Sequence, residues 1–437
     1  MQIYLIKYLK YIGCIDNNST KLVSIIVFFM PIFFLTVKSW VTTSIFLLFL
    51  ICGWSILRNP SLYFSKRGPN FWILLLCLVI PFFAEFFAQV GRGEIVGSNL
   101  DGPARMLLAA GIFVYFCRFE CTRVIHCLSY GSALGVFGVF LSLLIFPDYY
   151  WGSRAATYFV DPITLPCYTV GLLGLFLFFV PKEVPSKWTI YIKSLLVLLT
   201  VYIVIASASR SAYVAFICLM TFHVIFCFRH SFKTQIFGLL GLIIALMLVY
   251  FFSDSVYQRV NESVSGVMAF FFEGENSEYL VQKTSSGQRL VLGLIDLYLI
   301  KNNLFFGFAD RAALPPYEEL RVFIPSLTEE VYWIKVSAGS HAEFLAQLVR
   351  QGVFFGSFTL MSLFFYPLYL FLWRYRYLTF SKGSLLALPL GILIPILVSS
   401  MTIQVFNLKM TISFYGVCVA LFFAYLYRQA DMNGNKC

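Results

Sequence analysis

Charge is what this sequence has least of. Only 12% of its 437 residues are Asp, Glu, Lys or Arg, whereas 60% are apolar and 19% aromatic. Mean hydropathy is +0.82. A water-soluble chain of this length cannot bury so much apolar surface, so lipid must be the solvent for most of it. Histidine is scarce too, at four residues: His126, His223, His230 and His341. There is no P-loop, no paired-Asp metal motif, no HExxH and no GxSxG, which argues against nucleotide hydrolysis and metalloprotease chemistry. None of the eleven cysteines falls within Ser253–Ser340, and no CxxC or Cys/His set accompanies them. Disulfide stapling of that stretch is excluded, and no metal site is signalled. No cleavable leader is expected: the start is polar and basic, and no small-residue cleavage site follows the first apolar run.

What the sequence has is long apolar runs. Twelve approach spanning length: Leu22–Val37, Val41–Leu57, Phe71–Val90, Arg105–Cys117, Val124–Phe146, Ile163–Val180, Trp188–Ala206, Ser211–Phe228, Gln235–Phe252, Leu345–Trp373, Leu385–Gln404 and Met410–Tyr427. The fourth is short against the roughly 20 residues that a span needs. Backbone polar groups in lipid must be satisfied internally, and runs this long do so as helices. The expectation is an all-α polytopic integral membrane protein of about 12 transmembrane helices. Residues 1–252 would hold the first nine, 253–340 a large periplasmic loop with amphipathic helices, and 341–437 the last three with a cytoplasmic tail.

Orientation follows from Lys and Arg. With a cytoplasmic N-terminus, seventeen of them, from Lys7 to Lys436, fall in inner segments. The short outer loops hold six: Lys38, Arg92, Arg105, Arg154, Arg210 and Lys409. This bias places both termini in the cytoplasm. It also accounts for much of the net charge of +11 without nucleic acid. In the outer loop, Leu290, Val291, Leu294, Leu297 and Ile300 recur at helical spacing within Ser286–Asn302. That pattern predicts an amphipathic helix lying along the outer surface. Pro315-Pro316 breaks the chain after it, and Tyr332 and Trp333 suit an interfacial level.

His341 alone among the histidines faces out. Ser340-His341-Ala342-Glu343 fits an S-x-x-E capping box, which places His341 in a first helical turn where the dipole disfavours imidazolium. A neutral imidazole at a water-facing boundary suits a general base; an interfacial histidine without a role fits the position equally. Arg210, in Ser207-Ala208-Ser209-Arg210-Ser211, opposes the inside bias. Beside a helix start it would cradle phosphate, or it snorkels to the interface. Arg289 follows Ser285-Ser286-Gly287 at another helix start, where a solvated face is the alternative. Arg154 and Arg105 add two outward cations as secondary anion-binding candidates, although Asp101 could pair with Arg105. Several arginine forks on one pyrophosphate would both bind it and stabilise it as a leaving group. Glu85, one turn from the outer end of the third run, is an intramembrane acid and so a functional candidate, with Arg92 or Arg105 as possible partners.

These residues, in this order, resemble the O-antigen ligase and O-antigen polymerase superfamily of bacterial membrane glycosyltransferases. Asp101, Pro103 and Arg105 match a D-x-P-x-R pattern, Arg154-Ala155 and Asp161-Pro162 an R-A segment before an N/D-P pair, and Ser209-Arg210-Ser211 an S-R-[SGA] turn. Gly287-Gln288-Arg289 matches a G-x-R helix start, with Asn303–Gly307 at its end. His341 and Gly352 keep the spacing of H-[NSQ]-x9-G-x-x-[GTY], with Ala342 in place of an amide or hydroxyl and Phe355 where a small residue or Tyr is usual. The resemblance implies a glycan donor on undecaprenyl pyrophosphate, transfer without nucleotide, metal or other cofactor, His341 as catalytic base, and Arg210 and Arg289 on the pyrophosphate.

It implies O-antigen ligase most closely: transfer to lipid A–core on the periplasmic face of the bacterial inner membrane, in lipopolysaccharide biosynthesis. The partners would be the lipid-linked donor, lipid A–core and membrane lipids, with no nucleic acid. An O-antigen polymerase joining lipid-linked repeat units is the alternative. A twelve-helix transporter is another, opposed by the lack of half-to-half similarity and by few polar residues at mid-membrane.

Overall fold

Runs of apolar residues without internal breakers become helices, and the chain is all-α. A computed structural model describes residues 18–65, 67–146, 154–179, 186–229, 231–272, 284–308, 314–380, 385–406 and 408–432. The first half is α1 Asn18–Phe33, α2 Trp40–Arg58, α3 Pro60–Phe64, α4 Pro69–Arg92, α5 Gly97–Phe116, α6 Thr122–Ile145 and α7 Thr164–Leu177. There follow α8 Ser186–Ser207, α9 Arg210–Cys227, α10 Phe232–Phe252, α11 Asp254–Phe272, α12 Ser285–Asn302, α13 Tyr317–Phe323 and α14 Glu329–Ala338. The chain ends in α15, Glu343–Leu360 with π-helical turns beyond it, then α16 Leu388–Ser400 and α17 Lys409–Met432.

Each of the twelve apolar runs contains or lies within helix. Among the described residues, eight helices are long and apolar enough to cross a membrane: α2, α4, α6, α8, α9, α10, α15 with its extension to Arg374, and α17. The first, sixth and eleventh runs form shorter apolar helices, and the fourth lies within α5.

In lipid, helices associate by close backbone approach rather than by a hydrophobic drive, so small residues mark the seams. A Cβ on Gly174 would lie 1.9 Å from the Gly391 carbonyl oxygen, which fixes the crossing of α7 and α16. Gly131 and Gly135 of α6 likewise admit the Phe28 and Pro31 carbonyls of α1. Helix α17 is buried along nearly its whole length, whereas α10 has no buried residue.

Residues 253–340 carry their own elements. Val291, Leu292, Ile295 and Leu299 of α12 meet Leu320, Ile324, Leu327 and Val331 in a core separate from the main one. Its buried face differs from the expected stripe: Leu297 is exposed, while Asp296 is buried. The displacement has a physical cause, because Asp296 turns inward to an ion pair with Lys335.

Helix α15 is broken at Gly352, whose φ is 74°. The segment after α12 fills the break: Val353 N donates to Leu304 O and Phe308 N to Val349 O, both at 2.6 Å. Arg92 Nη1 donates across the same junction to Arg350 O at 2.7 Å, and also to Phe306 O. This joint ties the segment after α12 to the helix that follows His341.

Candidate functional site

The turn between α8 and α9 carries Arg210 to the start of α9, with Ala208 in the left-handed region at φ 50°. Arg210 Nη1 donates to Ser286 Oγ at 2.5 Å, and Nη2 to Glu262 Oε2 at 2.8 Å. The first turn of α12 is thereby tied to the membrane-helix end. Thr284 caps α12, accepting from Gly287 N at 3.2 Å, and Arg289 follows on its first turn. Burial lowers the Arg289 pKa, and the cations of Arg210 and Arg154 lower it further. Arg289 has no acidic or hydrogen-bonding partner among the described residues. Three guanidinium groups that repel one another, with Glu262 the only acid ion-paired to any of them among the described residues, form an arrangement that an anion would relieve.

Arg154 joins the group. Its Nε donates to Ser207 O at 2.9 Å, and Ala155 N donates to Ala206 O at 3.0 Å. Burial lowers the Arg154 pKa, with repulsion from Arg259 and Arg210 adding to the effect. Arg259 of α11, 3.2 Å from Glu262, is a member that sequence reasoning missed. So is Tyr213, whose buried hydroxyl lacks a partner among the described residues and which feels Arg259, Arg154 and Arg210. Arg105 is engaged otherwise: it pairs with Asp101 at 3.1 Å and donates to Ser413 Oγ at 3.2 Å. None of those contacts links it to Arg289.

His341 stands in the link between α14 and α15, and here the capping box fails. The helix begins at Glu343, its N-cap is Ala342, and no side chain caps it. Both intended capping groups are occupied elsewhere. Ser340 Oγ donates to Asp296 Oδ1 at 2.8 Å and accepts from Lys335 Nζ at 2.9 Å. Glu343 is buried, its carboxylate accepting from Gln347 Nε2 at 2.6 Å and from Phe406 N at 3.0 Å. His341 therefore precedes the helix, and its neutrality has another cause than a dipole. Burial, reinforced by the Arg289 and Lys335 cations, lowers its pKa to about 4. Arg289 and His341 are thus close enough to interact. Among the described residues the imidazole has no hydrogen-bond partner, so it is available to a bound hydroxyl.

Two further structures hold this link. The buried Asp296–Lys335 pair binds Ser340 from the side of α12 and α14. The turn after α16 binds it from the other: Glu343 N donates to Ile403 O at 3.0 Å, and Gln404 Nε2 to Ser340 O. Thr402 Oγ1 in that turn also donates to Ser211 Oγ at 2.7 Å, beside Arg210. The signals were present in the sequence as an acid among apolar residues at Asp296 and a polar end to the eleventh run (Ser399, Ser400, Thr402, Gln404).

Glu85 is fully buried, and its direct ion pair is with Arg350 rather than with Arg92 or Arg105. It accepts from Arg350 Nε at 2.7 Å, Gln351 Nε2 at 2.9 Å and Gln89 Nε2 at 2.8 Å. Arg92 is instead committed to the Gly352 joint, and Arg105 to Asp101. Among the described residues, no group of three or more His, Cys, Asp or Glu is placed to hold a metal ion.

No curated protein matches the chain. A family model described as O-antigen ligase matches residues 195–361, from within α8 to the turn after Leu360. It is through this stretch, which carries Arg210, Arg289 and His341, that the resemblance to the O-antigen ligase and polymerase superfamily is shown.

Proposed function

We propose that this membrane protein is an O-antigen ligase, transferring a glycan from undecaprenyl pyrophosphate to lipid A–core at the periplasmic face of the inner membrane. The observation that carries this reading is Arg289, a half-buried cation without a partner acid among the described residues, acting electrostatically on His341. Arg289 and Arg210 hold the donor pyrophosphate, with Arg154 as an auxiliary cation. His341 accepts the proton of an acceptor hydroxyl. The acceptor oxygen bonds to the anomeric carbon as the bond from that carbon to the pyrophosphate oxygen breaks. Undecaprenyl pyrophosphate leaves with the electron pair, its charge stabilised by the guanidinium groups.

The charge bias of the loops supports this orientation, with both termini cytoplasmic and the arginine group outside. The experiment that tests the reading is deletion of the gene, followed by a gel of surface polysaccharide. A ligase deletion removes all capped lipopolysaccharide; single-repeat capping would instead identify a polymerase. Arginine takes the part that a divalent ion plays in many transferases, so purified protein should keep its activity in chelator. Loss of activity in chelator, restored by added metal, would contradict that part of the mechanism.

A further inference from the structure

A second polar space adjoins the His341 link, on the side of α4, α5 and the turn after α16. It is a cavity of about 210 Å³, compact enough for a single sugar residue. Its polar lining includes Ser98, Gln347, Arg350, Gln351, Gln404 and Lys409, and Pro81 and Phe406 supply apolar wall. Its charges are balanced by neighbours: Arg350 pairs with Glu85, and Lys409 with Asp101. What it offers is therefore hydrogen bonding more than a net field. The Ser98 hydroxyl and Gln404 Oε1 have no partner among the described residues, and the Lys409 ammonium has N–H groups beyond its ion pair. Donors and acceptors mixed with apolar wall suit a group that carries hydroxyls on a hydrocarbon ring.

Position sharpens this. Glu343, two residues after His341, lines the cavity, and Gln404 of its wall also grips Ser340 O. The arginine group reaches His341 through Arg289 of α12. The anion-binding group and the cavity thus both converge on the segment that carries the imidazole.

We propose that this cavity is the acceptor subsite, taking the hydroxyl-bearing sugar head of the second lipid substrate and presenting one hydroxyl to His341. The proposal rests on the transferase reading above. It names the shared chemistry of two possible acceptors, lipid A–core and a second lipid-linked repeat unit.

Gly102 gives a clean test, because it lines the cavity and an added Cβ meets nothing within 4 Å. Gly102→Leu would project into the space from the wall formed by α5. The exposed Ser98→Leu provides a second plug. Each protein is reconstituted with a lipid-linked glycan donor and either lipid A–core or a second lipid-linked unit. The Leu variants should keep wild-type thermal stability and donor binding, yet lose about tenfold or more in kcat/KM for the acceptor. The acceptor whose kinetics respond identifies the occupant. Leu variants that use both acceptors as well as the wild type does would overturn the subsite. A wild-type protein that neither binds the donor nor transfers from it would overturn the transferase reading, and the subsite with it.

Discussion

At the scale of single residues, the arginines differ in what they already hold. Arg210 is bonded to Glu262 and Ser286, whereas Arg289 has no partner acid among the described residues and feels the Arg210 and Arg154 cations. Replacing either with Ala should weaken donor binding by roughly 1.5–3 kcal/mol, the scale of a charge-assisted hydrogen bond. The larger loss is expected at Arg289, and Lys should not fully restore it because an ammonium lacks the fork. Titration with labelled undecaprenyl pyrophosphate measures this directly, and unchanged affinity in both Ala variants would remove the cradle. His341 gives a pH signature. Its pKa is lowered from the ordinary 6.5 to about 4, so the neutral base persists well into the acid range. The acid limb of kcat/KM, which reports the free enzyme, should fall toward pH 4 rather than near 6.5. The sign for stability is the same: the unfolded chain takes up this proton first as pH falls. The contribution is complete above about 6.5 and is lost as pH drops from there toward 4. That His341 is a candidate was legible from its position; why its pKa is lowered was not, since its burial and the Arg289 cation, far earlier in the chain, are set by tertiary packing.

At the scale of elements, the helices were legible and their joints were not. Apolar length marks a membrane helix because lipid leaves no other way to satisfy the backbone; eight of the expected runs became helices long and apolar enough to span, and the others became shorter apolar helices or part of α5. The break in α15 depends instead on a partner far along the chain. At Gly352 the backbone stands at φ 74° and ψ 170°, and a Cβ would sit 2.4 Å from Phe305 O. Gly352→Ala should therefore cost of order 1–3 kcal/mol for the backbone alone, with the clash in addition. A lowered Tm of the purified protein checks it; a Tm equal to wild type would mean that the joint is not built as described. The capping-box error has the same origin. Ser340 and Glu343 have the right spacing for a cap, but a buried Asp296–Lys335 pair and the Phe406 amide compete for them. Local pattern yields to a tertiary partner that satisfies a buried polar group better.

At the scale of the whole molecule, hydropathy located the spans without arranging them. Helix α10 is the more apolar of the pair α10 and α17, yet α10 has no buried residue and α17 is almost wholly buried. Lipid is as apolar as a protein core, so apolarity does not report which face meets protein. Small residues do, and Gly174 and Gly391 mark such a seam. The arrangement brings Arg154, Arg210, Arg289 and His341, spread over nearly half of the chain, to one end of the bundle, with the turn after α16 stitched to both Ser211 and Ser340. The central claim is that this assembly transfers a glycan with His341 as its base. The direct measurement is the rate of transfer from labelled undecaprenyl-pyrophosphate glycan to lipid A–core in proteoliposomes, for wild type and His341→Gln. Gln keeps polarity and approximate size but cannot take the proton. The account predicts a loss of about 10²–10⁴-fold in turnover with donor binding retained. A folded, inserted His341→Gln protein that transfers at the wild-type rate would contradict it.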